Sequence, residues 1–156
     1  MRKEKIVTIM DDGNELMFKI KQMSAIKQER WINRVLIIAA GANVLTGLFS
    51  NFNLTKIAQG LKNFDLEKFI DIFSKLDYEK VEPLYNELLE CCYHIPDKRN
   101  MEFSTPLNAQ NADSIISEAK TLYKLRLEAL KLNFSFFSKG VKSPNQEAKI
   151  TITKPM

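Results

Sequence analysis

Residues 111–139 read NADSIISEAKTLYKLRLEALKLNFSFFSK, and the reading of this stretch decides the fold class. It contains neither glycine nor proline, so nothing in it interrupts a helix. At helical spacing it carries two apolar stripes. Ile116, Ala119, Tyr123, Leu127, Leu130, Phe134 and Phe137 form one; Leu122, Leu125, Ala129, Leu132 and Phe136 form the other. A surface helix needs a single stripe roughly 100° wide or more. Two adjacent stripes leave only a narrow polar edge of Ser117, Thr121, Lys124, Glu128, Lys131, Ser135 and Ser138. Such a helix is either the centre of its own domain or the seat of a partner. The pattern assigns Leu127, Leu130 and Phe134 to a home core, and Leu125, Leu132, Phe136 and Phe137 to a partner-facing surface.

Arg126 and Asn133 are the anomaly. At about 100° per residue they fall opposite the polar edge, two turns apart on one line. A buried arginine is costly unless paired. One reading lets Arg126 snorkel past Leu122 and Leu130 to a carboxylate, with Glu29 as the expected intramolecular acceptor. The other has Arg126 and Asn133 contact a partner's backbone or fix a packing register.

Working outward, residues 5–10 and 15–20 alternate around Asp11-Asp12-Gly13-Asn14, which predicts a β-hairpin over residues 5–20. A lone hairpin is marginal in water and must pack on something or extend a sheet. Ser24 is a plausible N-cap for a helix over residues 25–40 that buries Trp31. Further helices are expected over residues 54–64, behind Asp65, and after Asp77 through Cys92. Residues 95–111 hold two prolines and read as an exposed loop; residues 140–156 read as a flexible tail, within which residues 149–154 alternate like a strand. The expectation is a mainly α fold: a helical bundle over residues 1–139 with an N-terminal β-hairpin, followed by a flexible C-terminal tail.

The chain has 156 residues, enough for one domain with a real core. Five glycines and five prolines are too few for a turn-rich β architecture. Net charge is +4, unevenly spread. Residues 61–102 hold 10 acidic and 6 basic side chains, a balance of −4, so the remainder carries +8. An acidic middle in a basic frame suits self-association or a mixed-charge partner better than a nucleic-acid stripe. Residues 35–55 lack charge, but their apolar part ends at Phe49 and is shorter than the roughly 20 residues a membrane span needs.

Catalytic motifs are missing. The single histidine, His94, stands beside Cys91 and Cys92, yet adjacent cysteines diverge on a helix and no second ligand cluster exists for zinc. No glycine-rich phosphate loop and no serine or cysteine nucleophile motif occurs. The sequence therefore points to a protein without cofactor or metal that works by binding.

The residues themselves carry a resemblance. Residues 18–25 (FKIKQMSA), with Glu29-Arg30-Trp31 and Arg34, look like the start of tail assembly chaperones of long-tailed bacteriophages. Residues 122–130 (LYKLRLEAL), running into Asn133-Phe134, and residues 77–91 are similar to the same family. The resemblance spans most of residues 15–137. It implies a small, mostly helical, non-enzymatic protein of the host bacterial cytoplasm. Such a protein binds the long, apolar, helical tape measure protein, keeps it soluble and brings tail tube subunits to it. Members of the family often have a frameshifted longer form; this chain lacks the Lys-Lys or Gly-Lys pair that slippery codons leave. Alternative readings are a structural tail-completion or connector component, with homo-oligomers as its mark, or a small regulatory protein that binds a host factor.

Overall fold

The computed structural model describes residues 2–41 and 66–141, without the side chains of residues 66, 68, 69, 72 and 135–141. The expected helix over residues 54–64, the apolar residues 42–55, the strand-like residues 149–154 and most of the expected tail lie outside the described residues.

The hairpin forms as its turn chemistry dictates. Strand β1 (Glu4–Asp11) and strand β2 (Asn14–Lys21) pair antiparallel, with Asp11 opposite Asn14. That leaves a two-residue loop, Asp12-Gly13, with both φ angles positive at 48° and 79°. Two positive φ values are the mark of a type I′ turn, whose twist matches the strands it joins. Aspartate and glycine are among the residues that tolerate this conformation.

The hairpin is only half of its sheet. Strand β3 (Cys92–Ile95) pairs with β2, placing Phe18 opposite His94, and strand β4 (Thr105–Pro106) pairs with β3. The order is β1-β2-β3-β4, antiparallel throughout. The fold is thus mixed α/β, and the expectation of a mainly α helical bundle is corrected. The segments read as a helix end and an exposed loop supply the two extra strands. β3 has four residues and β4 two, too short to show a period. The ladder of β3 is formed with β2, more than seventy residues away in sequence, and β4 then pairs with β3.

Helix α1 (Ala25–Gly41) follows the hairpin, and helix α2 (Leu66–Ser74) precedes helix α3 (Tyr78–Leu89). Asp77 caps α3 by accepting the Glu79 N–H at 3.2 Å. The long helix α4 spans Ala119–Val141. It begins eight residues later than the uninterrupted pattern predicts, because Asn111 bonds back onto the chain and residues Ala112–Ser114 form a 3₁₀ turn.

α4 lies between the sheet and the other helices, in contact with β1, β2, α2 and α3. This explains its two stripes. One side faces the sheet: Thr121 bonds Asp11, Glu128 pairs with Lys5, and Cys92 Sγ approaches the Leu125 carbonyl. The other side faces helices: Tyr123 meets Tyr85 edge-on, and Phe134 stacks on Trp31 at 5.1 Å. Even the edge read as polar is partly enclosed, since Thr121 is buried.

Candidate functional site

The core cluster contains Trp31, Leu127, Leu130 and Phe134, together with Phe18, Ile20, Leu84 and Leu88. Trp31 also donates its indole N–H to the Leu84 carbonyl at 3.1 Å, which ties α1 to α3. Leu125, expected to face a partner, has 0% exposure. Its helix is packed between the β1–β2 hairpin and the helices α2 and α3, and Cys92 Sγ approaches its carbonyl. Leu132 is half-buried against the core, and the side chains of Phe136 and Phe137 lie outside the described residues.

Asn133 also has 0% exposure and is fully engaged within the chain. Its Oδ1 accepts the Met23 N–H at 2.7 Å, and its Nδ2 donates to the Ala129 carbonyl at 2.8 Å. Gln28 donates to the Asn133 carbonyl at 2.9 Å. Met23 stands just beyond β2 and Gln28 in the first turns of α1, so one amide holds the sheet-to-helix corner against α4. Any sliding of α4 would strand a buried amide, which costs about 1–3 kcal/mol.

Arg126 finds a different environment. Glu29 is exposed on α1, and Arg126 forms no ion pair with it or with any other carboxylate among the described residues. The Arg126 Nε donates to the Tyr85 carbonyl at 3.3 Å, and the guanidinium lies 4.9 Å from the centre of the Tyr85 ring. Burial pulls its pKa below the ordinary arginine value, while the neighbouring Tyr85 works the other way. Burial likewise pushes the Tyr85 hydroxyl up to about 12. A half-buried cation over an aromatic face thus stands at the mouth of a cleft between α3 and α4.

A third polar feature escaped the sequence reading. Asp11, 2% exposed at the end of β1, reaches the chain entering α4. Its carboxylate accepts the Ser117 N–H at 2.8 Å, the Glu118 N–H at 2.9 Å and the Thr121 hydroxyl at 2.7 Å. Glu118 returns the bond by accepting the Asp12 N–H at 2.7 Å. Burial alone would raise the Asp11 pKa, but the bonds from Ser117, Thr121 and Glu118 together outweigh it and hold the carboxyl below its ordinary value. The pair is a capping box closed across 106 residues, so no local motif announces it.

The C-C-x-H cluster holds no metal geometry. Cys91 and Cys92 are buried, their thiols directed to the Glu87 and Leu88 carbonyls, and His94 tilts against the Phe18 ring at 5.6 Å. Among the described residues no group of three potential ligands gathers, and no helix is long and apolar enough to cross a membrane.

Apolar side chains do remain on the outside. On α1, Ile26 and Ile37 are 62% and 71% exposed. Eleven residues apart, they lie on one line of the helix, with Arg30 and Asn33 between them also exposed. On the open face of the sheet, Ile6 and Met10 of β1 are exposed as well.

The model of a family described as phage tail assembly chaperone protein, TAC, matches residues 14–145. The chain belongs to that family. No curated protein and no solved structure matches it. Family membership assigns a role in phage tail assembly and gives these exposed positions a context, since a chaperone of this family interacts with tail proteins. The match begins at Asn14, just after the hairpin turn, and takes in β2, the Asn133 corner and Arg126.

Proposed function

We propose that this chain is a non-catalytic tail assembly chaperone of the host bacterial cytoplasm. It binds the phage tape measure protein, keeps that long apolar helical protein soluble and assists the tail tube protein in assembling around it. No cofactor takes part. The observation that carries the reading is the family match over residues 14–145.

The distribution of apolar surface supports it. A holdase for a helical client needs apolar side chains outside a stable core. Leu125 belongs to that core, so on this reading the client meets the α1 line of Ile26 and Ile37 and the exit of α4, where Leu132 is followed by Phe136 and Phe137. Helix-in-groove contact is the mode such spacing suits.

Co-expression with the neighbouring tape measure protein tests the proposal. Its soluble fraction should rise severalfold with the chain present and fall back with Ile26→Ser/Ile37→Ser. A tape measure protein equally insoluble with and without the chain refutes the reading.

A further inference from the structure

The two edges of the sheet differ. β4 has two residues, Thr105–Pro106, and its proline has no N–H to offer a neighbour. Shortness and proline are two of the ways proteins blunt an edge. β1 stands at the other end of the strand order and runs for eight residues, Glu4–Asp11, with no proline and an unbroken register. In a two-residue hairpin the residues flanking the turn, here Asp11 and Asn14, exchange hydrogen bonds, and bonded and unbonded pairs alternate from there. Lys3 continues the same series by accepting the Gln22 N–H at 2.9 Å. Lys5, Val7, Ile9 and Asp11 therefore turn their backbone groups to β2, while Ile6, Thr8 and Met10 point theirs out of the sheet.

No backbone group among the described residues bonds that outward row. Its side chains are open as well: Ile6 is 45% and Met10 55% exposed, and Thr8 between them is exposed too. A long, exposed apolar edge is a template for another strand. The sequence of β1 is complementary to itself about Thr8. Laid antiparallel on a second copy with Thr8 opposite Thr8, it sets Ile6 against Met10 and Val7 against Ile9. The Lys5 end of one copy then meets the Asp11 end of the other, opposite in charge. Threonine pairs, apolar pairs and opposite charges are the cross-strand neighbours that stabilise a sheet. The single like-charge pairing, Glu4 with Asp12, falls at the ends, where Lys21 lies 4.0 Å from Glu4. Outward groups meet outward groups only if the copies slide in steps of two residues. One step sets Glu4 against Met10 in one direction and Val7 against Asp11 in the other, so the charges and apolar side chains favour Thr8 as the centre.

We infer that the outer edge of β1 is an interface between two copies of this chain, paired antiparallel about a two-fold axis at Thr8 so that their sheets become one. Ile6, Thr8 and Met10 of each copy donate and accept one bond apiece, about six across the axis. A two-fold pairing occupies both β1 edges, and the β4 edges left outside are the blunted ones, so assembly stops at two. The inference stands on the sheet and its register, independently of any client.

Sedimentation equilibrium of the full chain over a range of concentrations tests this, with cross-linking to read the register. The parent should sediment as a dimer. Thr8→Pro removes an N–H that β2 does not use, so it should stay folded while the dimer weakens at least about tenfold. Ile6→Lys should weaken it similarly with no backbone constraint, and decides the matter should Thr8→Pro melt early. Ile6→Lys/Met10→Glu sets opposite charges across the axis and should restore the dimer. Directly opposed residues lie about 5.5 Å apart at Cα, within disulfide reach, whereas Ile6 of one copy lies four residues along from Ile6 of the other. Thr8→Cys should therefore cross-link two chains under mild oxidation and Ile6→Cys should not, the native thiols being buried. A parent that stays monomeric overturns the inference. Slow exchange of the Ile6, Thr8 and Met10 amides in that monomer would then mean that its own chain covers the edge, and fast exchange would leave the edge to another partner. A dimer that survives both Thr8→Pro and Ile6→Lys overturns it too, as does one that the charge pair fails to restore or that Ile6→Cys cross-links as readily as Thr8→Cys.

Discussion

Removing the Asp11 carboxylate should be among the most damaging single changes to this protein away from its apolar core. The side chain is 2% exposed and accepts three hydrogen bonds of 2.7–2.9 Å, two from the peptide N–H groups that lead into α4. Loss of a helix cap costs about 0.5–2 kcal/mol, and each bond to a charged acceptor contributes about 1.5–3. Their sum overstates the effect, since water reaches part of the opened site. Asp11→Ala should therefore cost about 3–4 kcal/mol. Asp11→Asn keeps one acceptor oxygen and should cost about half that. For a domain of this size each kcal/mol lowers Tm by about 2–4 °C, so Asp11→Ala should melt roughly 10 °C below the parent. The assay is thermal and urea unfolding followed by circular dichroism. Hydrogen exchange at Ser117 and Glu118 reports the cap directly. The pH dependence gives an independent check. The folded pKa lies below the ordinary 3.8, so the carboxylate's stabilisation is complete above that value and is lost as pH falls through it toward the folded pKa. Asp11→Asn should flatten this acid limb of the stability curve. Variants that melt within about 1 °C of the parent, with unchanged exchange at residues 117 and 118, would refute the capping argument.

Other expectations concern the seam and the surface. Asn133→Leu should lose about 2–3 kcal/mol in urea unfolding, because the Met23 N–H is left without an acceptor in a closed corner and Gln28 keeps only the backbone carbonyl of residue 133. Leu125→Ser should unfold the chain or lower its Tm by more than 10 °C, a cost of about 3–5 kcal/mol for a fully buried leucine, whereas Ile37→Ser should leave Tm within about 2 °C. Equal effects of the two on melting would mean that Ile37 is covered in solution. The thiols should be slow to alkylate in the native chain at pH 8, since burial pushes Cys91 up to about 11 and Cys92 higher still; labelling at the rate of unfolded chain would place both outside the core.

Local chemistry made a good part of this molecule legible in its sequence. Asp12-Gly13 between alternating strands specifies its own turn, because few other residue pairs accept two positive φ values. Ser24 and Asp77 sit where helices begin, and Ser24 and Asp77 each accept an N–H in the first turn of the helix behind them. The apolar period of α4 marks Leu127, Leu130 and Phe134 as core. The positions of Arg126 and Asn133 between the stripes single them out as the unusual polar groups of that helix. What each of them meets was not readable. Asn133 meets a corner 110 residues away, and Arg126 meets a tyrosine carbonyl rather than Glu29.

The amphipathic pattern of α4 determined that it is a helix with no surface to spare, since two stripes of apolar side chains must leave water somewhere. Whether its own chain or a partner covers the second stripe was a matter of tertiary structure. The covering elements are β1 and β2 on one side and α2 and α3 on the other, while β3 and β4, whose six residues carry no period of their own, extend the sheet from the free edge of β2. Period is a property of neighbours along the chain; a ladder of hydrogen bonds belongs to neighbours in space. Packed between the sheet and the helices, Leu125 is enclosed by its own chain, while Ile26 and Ile37 of α1 stay exposed.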